Sequence, residues 1–224
     1  SPFESGTDGK DIIKECPESF TLDVPYFVGQ EELVKTVDRR PDAGEKGKWS
    51  YNAAAEDTSK KTELNEMHRK LGAKMVAFAG WDMPVWYSSV SEEHRAVREA
   101  AGLFDVSHMG CFEITGPHAI EFLDTITSNY IHWLEDYDSC YSYLLDIEGD
   151  VIDDVMVYRM NSEHFLVVVN AANEEKDWDW MNSVNEWNVI IDKDRPWVRP
   201  ASKAVLKNLK SKDSTNQLRG IALQ

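Results

Sequence analysis

Tyr141-Ser142-Tyr143-Leu144-Leu145, then Glu148-Gly149-Asp150, then Val151-Ile152-Asp153-Asp154-Val155-Met156-Val157-Tyr158, is the stretch whose reading decides the fold. Two runs rich in β-branched and aromatic residues flank a short glycine-containing turn, the pattern of an antiparallel hairpin. Residues 165–169 supply a further strand after a turn at Asn161-Ser162-Glu163. Consecutive antiparallel strands, with helical patterns before and after them, predict an α+β domain. Its sheet is mixed and mainly antiparallel, with flanking helices, rather than doubly wound.

Alternation within residues 151–158 puts Val151, Asp153, Val155 and Val157 on one face, and Ile152, Asp154, Met156 and Tyr158 on the other. Both faces contain apolar residues, so the strand is expected to be covered on both sides. Two adjacent aspartates then point in opposite directions, and a buried carboxylate costs several kcal/mol unless it is hydrogen-bonded or used. Both can sit at a strand end and accept backbone or arginine hydrogen bonds, or one of them can carry chemistry.

Outward from the hairpin, Leu64, Met67 and Leu71 recur at helical spacing ahead of Gly72, a natural stop. Residues 74–79 suit a short strand. Ser91 is the expected N-cap of a helix through Ala101, with Glu92 and Glu93 near its positive end. Residues 109–115 read as a strand, and Gly116-Pro117 turns the chain into a helix carrying Ile120, Leu123 and Ile126. Asn173 is positioned to cap a helix bearing Trp180, Val184 and Trp187, an aromatic stripe suited to a core. A polar loop follows residues 189–191, and residues 220–224 open another apolar strand.

Residues 1–60 read as a polar amino-terminal extension that packs along the main body or stays partly disordered, and residues 61–224 as the domain. The formal charge of −16 opposes general affinity for nucleic acid or an anionic membrane. No apolar run reaches the roughly 18 residues that span a bilayer, and residues 1–9 lack the basic start and apolar core of a secretory signal. A cytoplasmic protein is expected. Cys16, Cys111 and Cys140 match neither a zinc spacing nor a disulfide framework.

Four further side chains have chemistry to offer. His108 suits a general base or a metal ligand, but no His or Cys lies at ligand spacing, and a half-buried structural imidazole accounts for it better. Tyr141 offers an aromatic face and a phenol to a heterocycle. Asn170 can recognise an amide edge or cap the helix after it. Met109 closes the run Asp105-Val106-Ser107-His108-Met109-Gly110. Neither a glycine-rich phosphate loop nor a nucleophile elbow is present.

Five blocks then occur in order: Gly80-Trp81-Asp82-Met83-Pro84-Val85, Glu93-His94-Arg95-Ala96-Val97-Arg98, residues 105–110, Ile152-Asp153-Asp154, and Val168-Val169-Asn170-Ala171. Their succession resembles the amino-terminal, folate-binding half of the aminomethyltransferase (T-protein) family of the glycine cleavage system, over residues 64–224. The resemblance implies transfer of a one-carbon unit from an aminomethyl-lipoyl H-protein to tetrahydrofolate, the acceptor substrate. The products are methylene-tetrahydrofolate and ammonia, in glycine catabolism, and no metal is implied. It matches Asp153 to the family's key aspartate, which orients the pterin side of folate, manages a nitrogen proton and stabilises a developing cation. It places Met109, Tyr141 and Asn170 near the folate.

The chain departs from the family at three points. Asp150 stands where a second glycine is usual and Asp146 where asparagine is usual, and an extra carboxylate close to another acid raises its pKa. Family members also continue well past Gln224, so the carboxyl-terminal part is expected to be missing. Two alternatives remain open: a tetrahydrofolate-dependent demethylase or methyltransferase of the same fold, and a non-catalytic folate-binding fragment.

Overall fold

The computed structural model describes residues 46–52, 59–193, 195–196, 198–211 and 217–224. Most of the expected amino-terminal extension, Cys16 included, lies outside these residues. Residues 46–52 lie within them, and Gly47 pairs with Val189 as an isolated parallel bridge.

The hairpin pattern produces β5 (Ser139–Leu145) and β6 (Val151–Asn161), with Gly149 at φ 86° in the turn. Asp146 shapes that turn by accepting hydrogen bonds from the amides of Glu148 and Asp150, at 2.8 and 3.0 Å. Next comes β7 (His164–Val169), against which β4 (Gly110–Thr115) pairs, and β8 (Val205–Asn208) closes the edge. The order is β5-β6-β7-β4-β8, antiparallel throughout. β8 falls inside the expected polar loop; four residues ending in Lys207 and Asn208 carry too little alternation to announce a strand. Two smaller pairs accompany this sheet: β1 (Lys74–Phe78) with β2 (Trp81–Trp86), and β3 (Leu103–Asp105) with β9 (Ile221–Leu223). The β1–β2 turn puts Ala79 and Gly80 at φ 48° and 77°, the positive values a two-residue hairpin requires.

Helices α1 (Asn65–Lys70), α2 (Val90–Glu99), α3 (Ala119–Ile126) and α4 (Glu174–Asn185) complete the described domain. The α2 cap is Ser89 rather than Ser91: its side chain accepts from the Glu92 amide. Glu93 meanwhile accepts from the amides of Tyr87 and Ser88. In α1 the burial is the reverse of the apolar spacing. Asn65 and His68 are buried, whereas Met67 and Leu71 are exposed. Polar bonds dock this helix, Asn65 to Asp82 and His68 to Asp105 and Tyr87. Trp187 lies beyond the end of α4, at φ 62°, with the Arg199 guanidinium 4.1 Å from its ring centroid.

A single core lies between the five-stranded sheet and α3 and α4. Phe112, Ile114, Val155, Val157, Phe165, Val167 and Val169 on the inner sheet face meet Phe122, Leu123, Trp180, Met181 and Val184 on the helices. Truncating one such buried aromatic to alanine removes about 3–5 kcal/mol. Trp49 packs edge-on against Trp180 at 5.1 Å and bonds Asp179 of α4. The opposite face behaves differently. Tyr141, Tyr143 and Tyr158 are exposed there, beside half-buried Asp154, Met156, Leu166 and Val168. Helices thus cover one face, not two, among the described residues. An antiparallel sheet needs only one packed face.

Candidate functional site

The adjacent acids of β6 part by ordinary strand alternation, and a bulge follows on the hairpin side of Asp153. Leu144 pairs with Asp153 but Leu145 with Val151, leaving Ile152 as the extra residue on β6. Asp153, in phase with buried Val155 and Val157, turns into the domain under α4 and is 4 % exposed, while Asp154, opposite Tyr143 in register, stays on the open face.

Asp153 is closely held. Its Oδ2 accepts from the Asn170 amide at 3.1 Å, and its Oδ1 from Asn170 Nδ2 at 3.0 Å and Asn173 Nδ2 at 2.6 Å. Asn173 begins α4, but its side chain bonds Asp153 instead of capping the helix. Burial opposes the Asp153 charge, yet the hydrogen bonds from Asp177, Asn170 and Asn173 prevail and hold the carboxyl below its ordinary range.

Asp177, in the first turn of α4, has no exposed surface, and no N–H or hydroxyl donates to either of its oxygens. Burial first, then its hydrogen bond to Asp153 and the repulsion of that charge, push it up to about 9. At neutral pH Asp177 is the acid and Asp153 the carboxylate: two buried acids share one proton.

Asp154 faces a different setting. Asn170 Nδ2 reaches its Oδ1 at 3.0 Å, and Tyr141 donates its phenolic hydrogen to it. That bond, with burial and the Asp154 charge behind it, pushes Tyr141 up to about 12. Tyr141 and Tyr143 meet edge to face at 5.4 Å, presenting aromatic surface beside the carboxylate.

Met109 directly precedes β4, whose first residue, Gly110, pairs with Val169. Met109 stands in the bend just before Gly110 and Asn170 just after Val169, so both lie at the same end of the sheet. A Cβ on Gly110 would lie 2.4 Å from Val169 Cγ2 and 2.8 Å from Glu174 Cγ, so glycine is what lets α4 approach β4. Met109, Tyr141 and Asn170 thus converge on the open face at one end of the sheet. Asp153, the fourth expected site residue, is bonded to Asn170 but lies on the covered side.

The family resemblance favours Asp153 over Asp154, the local pattern makes Asn173 only a cap, and Asp177 belongs to no motif. The signal for Asp177 is its spacing: Asp177, Trp180, Met181 and Val184 lie on one helical stripe, and an aspartate in line with a buried stripe needs a partner.

A second buried network ties α1 to β3. His68 Nε2 lies 2.9 Å from Asp105 Oδ2 and His68 Nδ1 2.7 Å from the Tyr87 hydroxyl; Thr62 and the Ser107 amide also donate to Asp105. These donors overcome burial and hold Asp105 at about 2. His108 takes no part: it lies edge-on to Phe78, and burial lowers its pKa. Asp146 is engaged at its turn, away from the acid pair. Among the described residues no three His, Cys, Asp or Glu are grouped to hold a metal ion, and no helix is long and apolar enough to cross a membrane.

The class this defines is a helix-backed antiparallel sheet with an acidic, aromatic site at one end of its open face. The GCVT N-terminal domain model matches residues 64–220, and the chain belongs to that family. Its relatives include the aminomethyltransferase of Symbiobacterium thermophilum, 50% identical over 130 residues, which are 58% of this chain and 35% of that protein. The aminomethyltransferase of Chloroherpeton thalassium is 52% identical over 122 residues, 54% of this chain and 34% of that one. Among solved structures, the glycine cleavage system aminomethyltransferase T from Bartonella henselae superposes with a TM-score of 0.61 at 32% identity. That match covers 75% of this chain and 41% of the other. The matched region thus spans about a third of the length of the relatives.

Proposed function

We propose that this chain is the folate-binding part of an aminomethyltransferase. The whole protein moves a one-carbon unit from an aminomethyl-lipoyl H-protein to tetrahydrofolate. The transfer breaks the carbon–sulfur and carbon–nitrogen bonds of the aminomethyl arm, forms two carbon–nitrogen bonds to the folate, and releases thiol and ammonia. One observation carries the reading: in a chain of which 130 residues are half identical to an aminomethyltransferase, a carboxylate, a phenol and an amide converge beside an uncovered aromatic face.

We assign the ligand-facing role to Asp154, with Tyr141, Asn170 and Met109 around it, and a supporting role to Asp153. Two points support this division. The Asp153 oxygens are already occupied by Asn170 and Asn173 on the helix side, and Asp154 keeps a half-exposed carboxylate beside Tyr141. A carboxylate there orients a pterin-side N–H, accepts its proton as the new bond forms, and stabilises positive charge developing on the transferred carbon as sulfur departs. Tyr141 and Tyr143 offer stacking surface to the heterocycle.

The test is a supply experiment with the complete protein. Methylene-tetrahydrofolate should form from tetrahydrofolate only when an aminomethyl-loaded lipoyl H-protein is provided. Formation from a small methylated compound without that partner would favour the demethylase alternative.

A further inference from the structure

We propose that Asp177 is a positioning residue of this site: as a neutral acid it donates to the Asp153 carboxylate, and this shared proton fixes the Asn170 amide that also holds Asp154. The ligand-binding half of the proposal rests on the reading of the open face as a folate site; the shared proton does not.

Asp177 lies one helical turn beyond Asn173, whose Nδ2 reaches Asp153 Oδ1 at 2.6 Å, and Asn170 carries the series from Asp153 to the open face. Asp177 is fully buried on the stripe of α4 that packs on the sheet, and no donor serves its oxygens. Two ionised carboxylates cannot be buried together without a cation between them. The ammonium whose charge bears on Asp177, that of Lys176, is bound 2.7 Å from the carbonyl oxygen of Ile152. A proton on Asp177 solves both problems, since it neutralises one acid and supplies the other with a donor. Asp153 then orients two amides, and Asn170 uses the same nitrogen toward Asp153 Oδ1, Asp154 Oδ1 and the Asp154 carbonyl. An amide rotated by 180° would turn its oxygen toward three acceptors, so the Asp153 charge selects one orientation and with it the face shown to Asp154.

Ionising Asp177 would break this arrangement. The charged and titratable groups that bear on it are Asp153 and Asp154 from β6, Lys176 on its own helix, and Tyr51. A second negative charge would push Asp153 away and loosen Asn170. Asn at position 177 keeps a donor toward Asp153 and has no proton to lose. Ala removes the donor.

The experiment compares wild-type chain, Asp177→Asn and Asp177→Ala. The Asn170 side-chain amide resonances are followed from pH 6 to 10.5 without ligand, and binding of a reduced folate is measured over the same range by fluorescence. In wild type the resonances should shift as pH passes about 9, with a parallel loss of affinity. Asp177→Asn should bind within about twofold of wild type at pH 7 and show neither change. Asp177→Ala should bind about tenfold more weakly at every pH, the cost of one charge-assisted hydrogen bond. Titration of the ligand is common to all three proteins and cancels in their ratios.

An alkaline shift of Asn170 that persists in Asp177→Asn would overturn the proposal, and this arm decides it even if the alanine variant does not fold. Equal affinity of all three proteins at every pH would overturn the positioning role. If no protein binds folate while the resonance shift appears in wild type alone, the folate reading fails and the shared proton stands.

Discussion

Asn170 Nδ2 stands 3.0 Å from Oδ1 of Asp153, and that same nitrogen stands 3.0 Å from Oδ1 of Asp154. One amide therefore joins a carboxylate packed under a helix to another on the open sheet face. Asn170→Ala should remove a donor from both acids and lower unfolding free energy by about 1–3 kcal/mol, the cost of leaving a buried acceptor unsatisfied. Asn170→Asp should be worse, because it replaces the donor with a third carboxylate. Urea midpoints and reduced-folate titrations on these variants check both statements.

Asp153 and Asp154 should separate stability from turnover. Asp154→Asn in the complete protein is expected to lower kcat about 100-fold or more, as loss of a group acting on the reacting atoms does. The thermal midpoint should move little. Asp153→Ala should instead unfold several degrees earlier, since three hydrogen bonds and the partner of Asp177 are lost together. The reverse pattern would return the ligand-facing role to Asp153.

What the sequence made legible follows from which forces are periodic. The hairpin, the third strand and α3 were readable because alternation and helical spacing report burial directly, and here burial obeys them. The Asp-Asp pair was recognisable as important for the same reason, as two charges in an apolar run. Which of the two faced the helices was not readable. Val155 and Val157 on the one side, and Met156 and Tyr158 on the other, make both faces of the strand look apolar, so alternation separates the two acids without saying which face the helices cover. α1 misleads for another reason: hydrogen bonds to Asp82, Asp105 and Tyr87 orient it, and those partners lie 17 to 37 residues away in the chain. The β8 strand exists through its pairing with β4, a relation no short window contains.

Asp105 sets an acid limit. Its native pKa of about 2 lies below the unfolded value near 4, so its contribution is full above pH 4 and fades as pH falls from there through 2. A shift of that size corresponds to roughly 2–3 kcal/mol. Urea midpoints at pH 5, 3 and 2 should fall in wild type and fall less in Asp105→Asn, which starts from a lower value because it supplies a weaker acceptor to His68, Thr62 and Ser107.

Gly110→Ala tests the close approach of α4 to β4. The added methyl would meet Val169, fully buried in the core, and the Glu174 stem. Glu174 cannot swing aside without loosening its bonds to Asn208 and Lys210. Overpacking of this kind costs about 1–3 kcal/mol. The urea midpoint should fall accordingly, and the reduced-folate affinity with it if Met109 and Asn170 are displaced. A neutral substitution would mean that helix and sheet can separate freely.

The acid pair gives the domain a pH slope opposite in sign to that of Asp105. Asp177 titrates at about 9 in the native state and near 4 when unfolded. Between those values the folded chain holds a proton that the unfolded chain releases. Stability from this group is therefore complete below pH 4, declines as pH rises, and levels off once pH passes 9. One proton corresponds to about 1.4 kcal/mol per pH unit at its steepest, and the reduced pKa of Asp153 adds an opposing rise that is over above pH 4. Wild type minus Asp177→Asn isolates the effect, since every other titrating group is common to both. Their difference in unfolding free energy should move steadily toward the asparagine variant from pH 5 to 8.5. A difference that stays flat would mean that Asp177 is ionised in the folded chain at neutral pH.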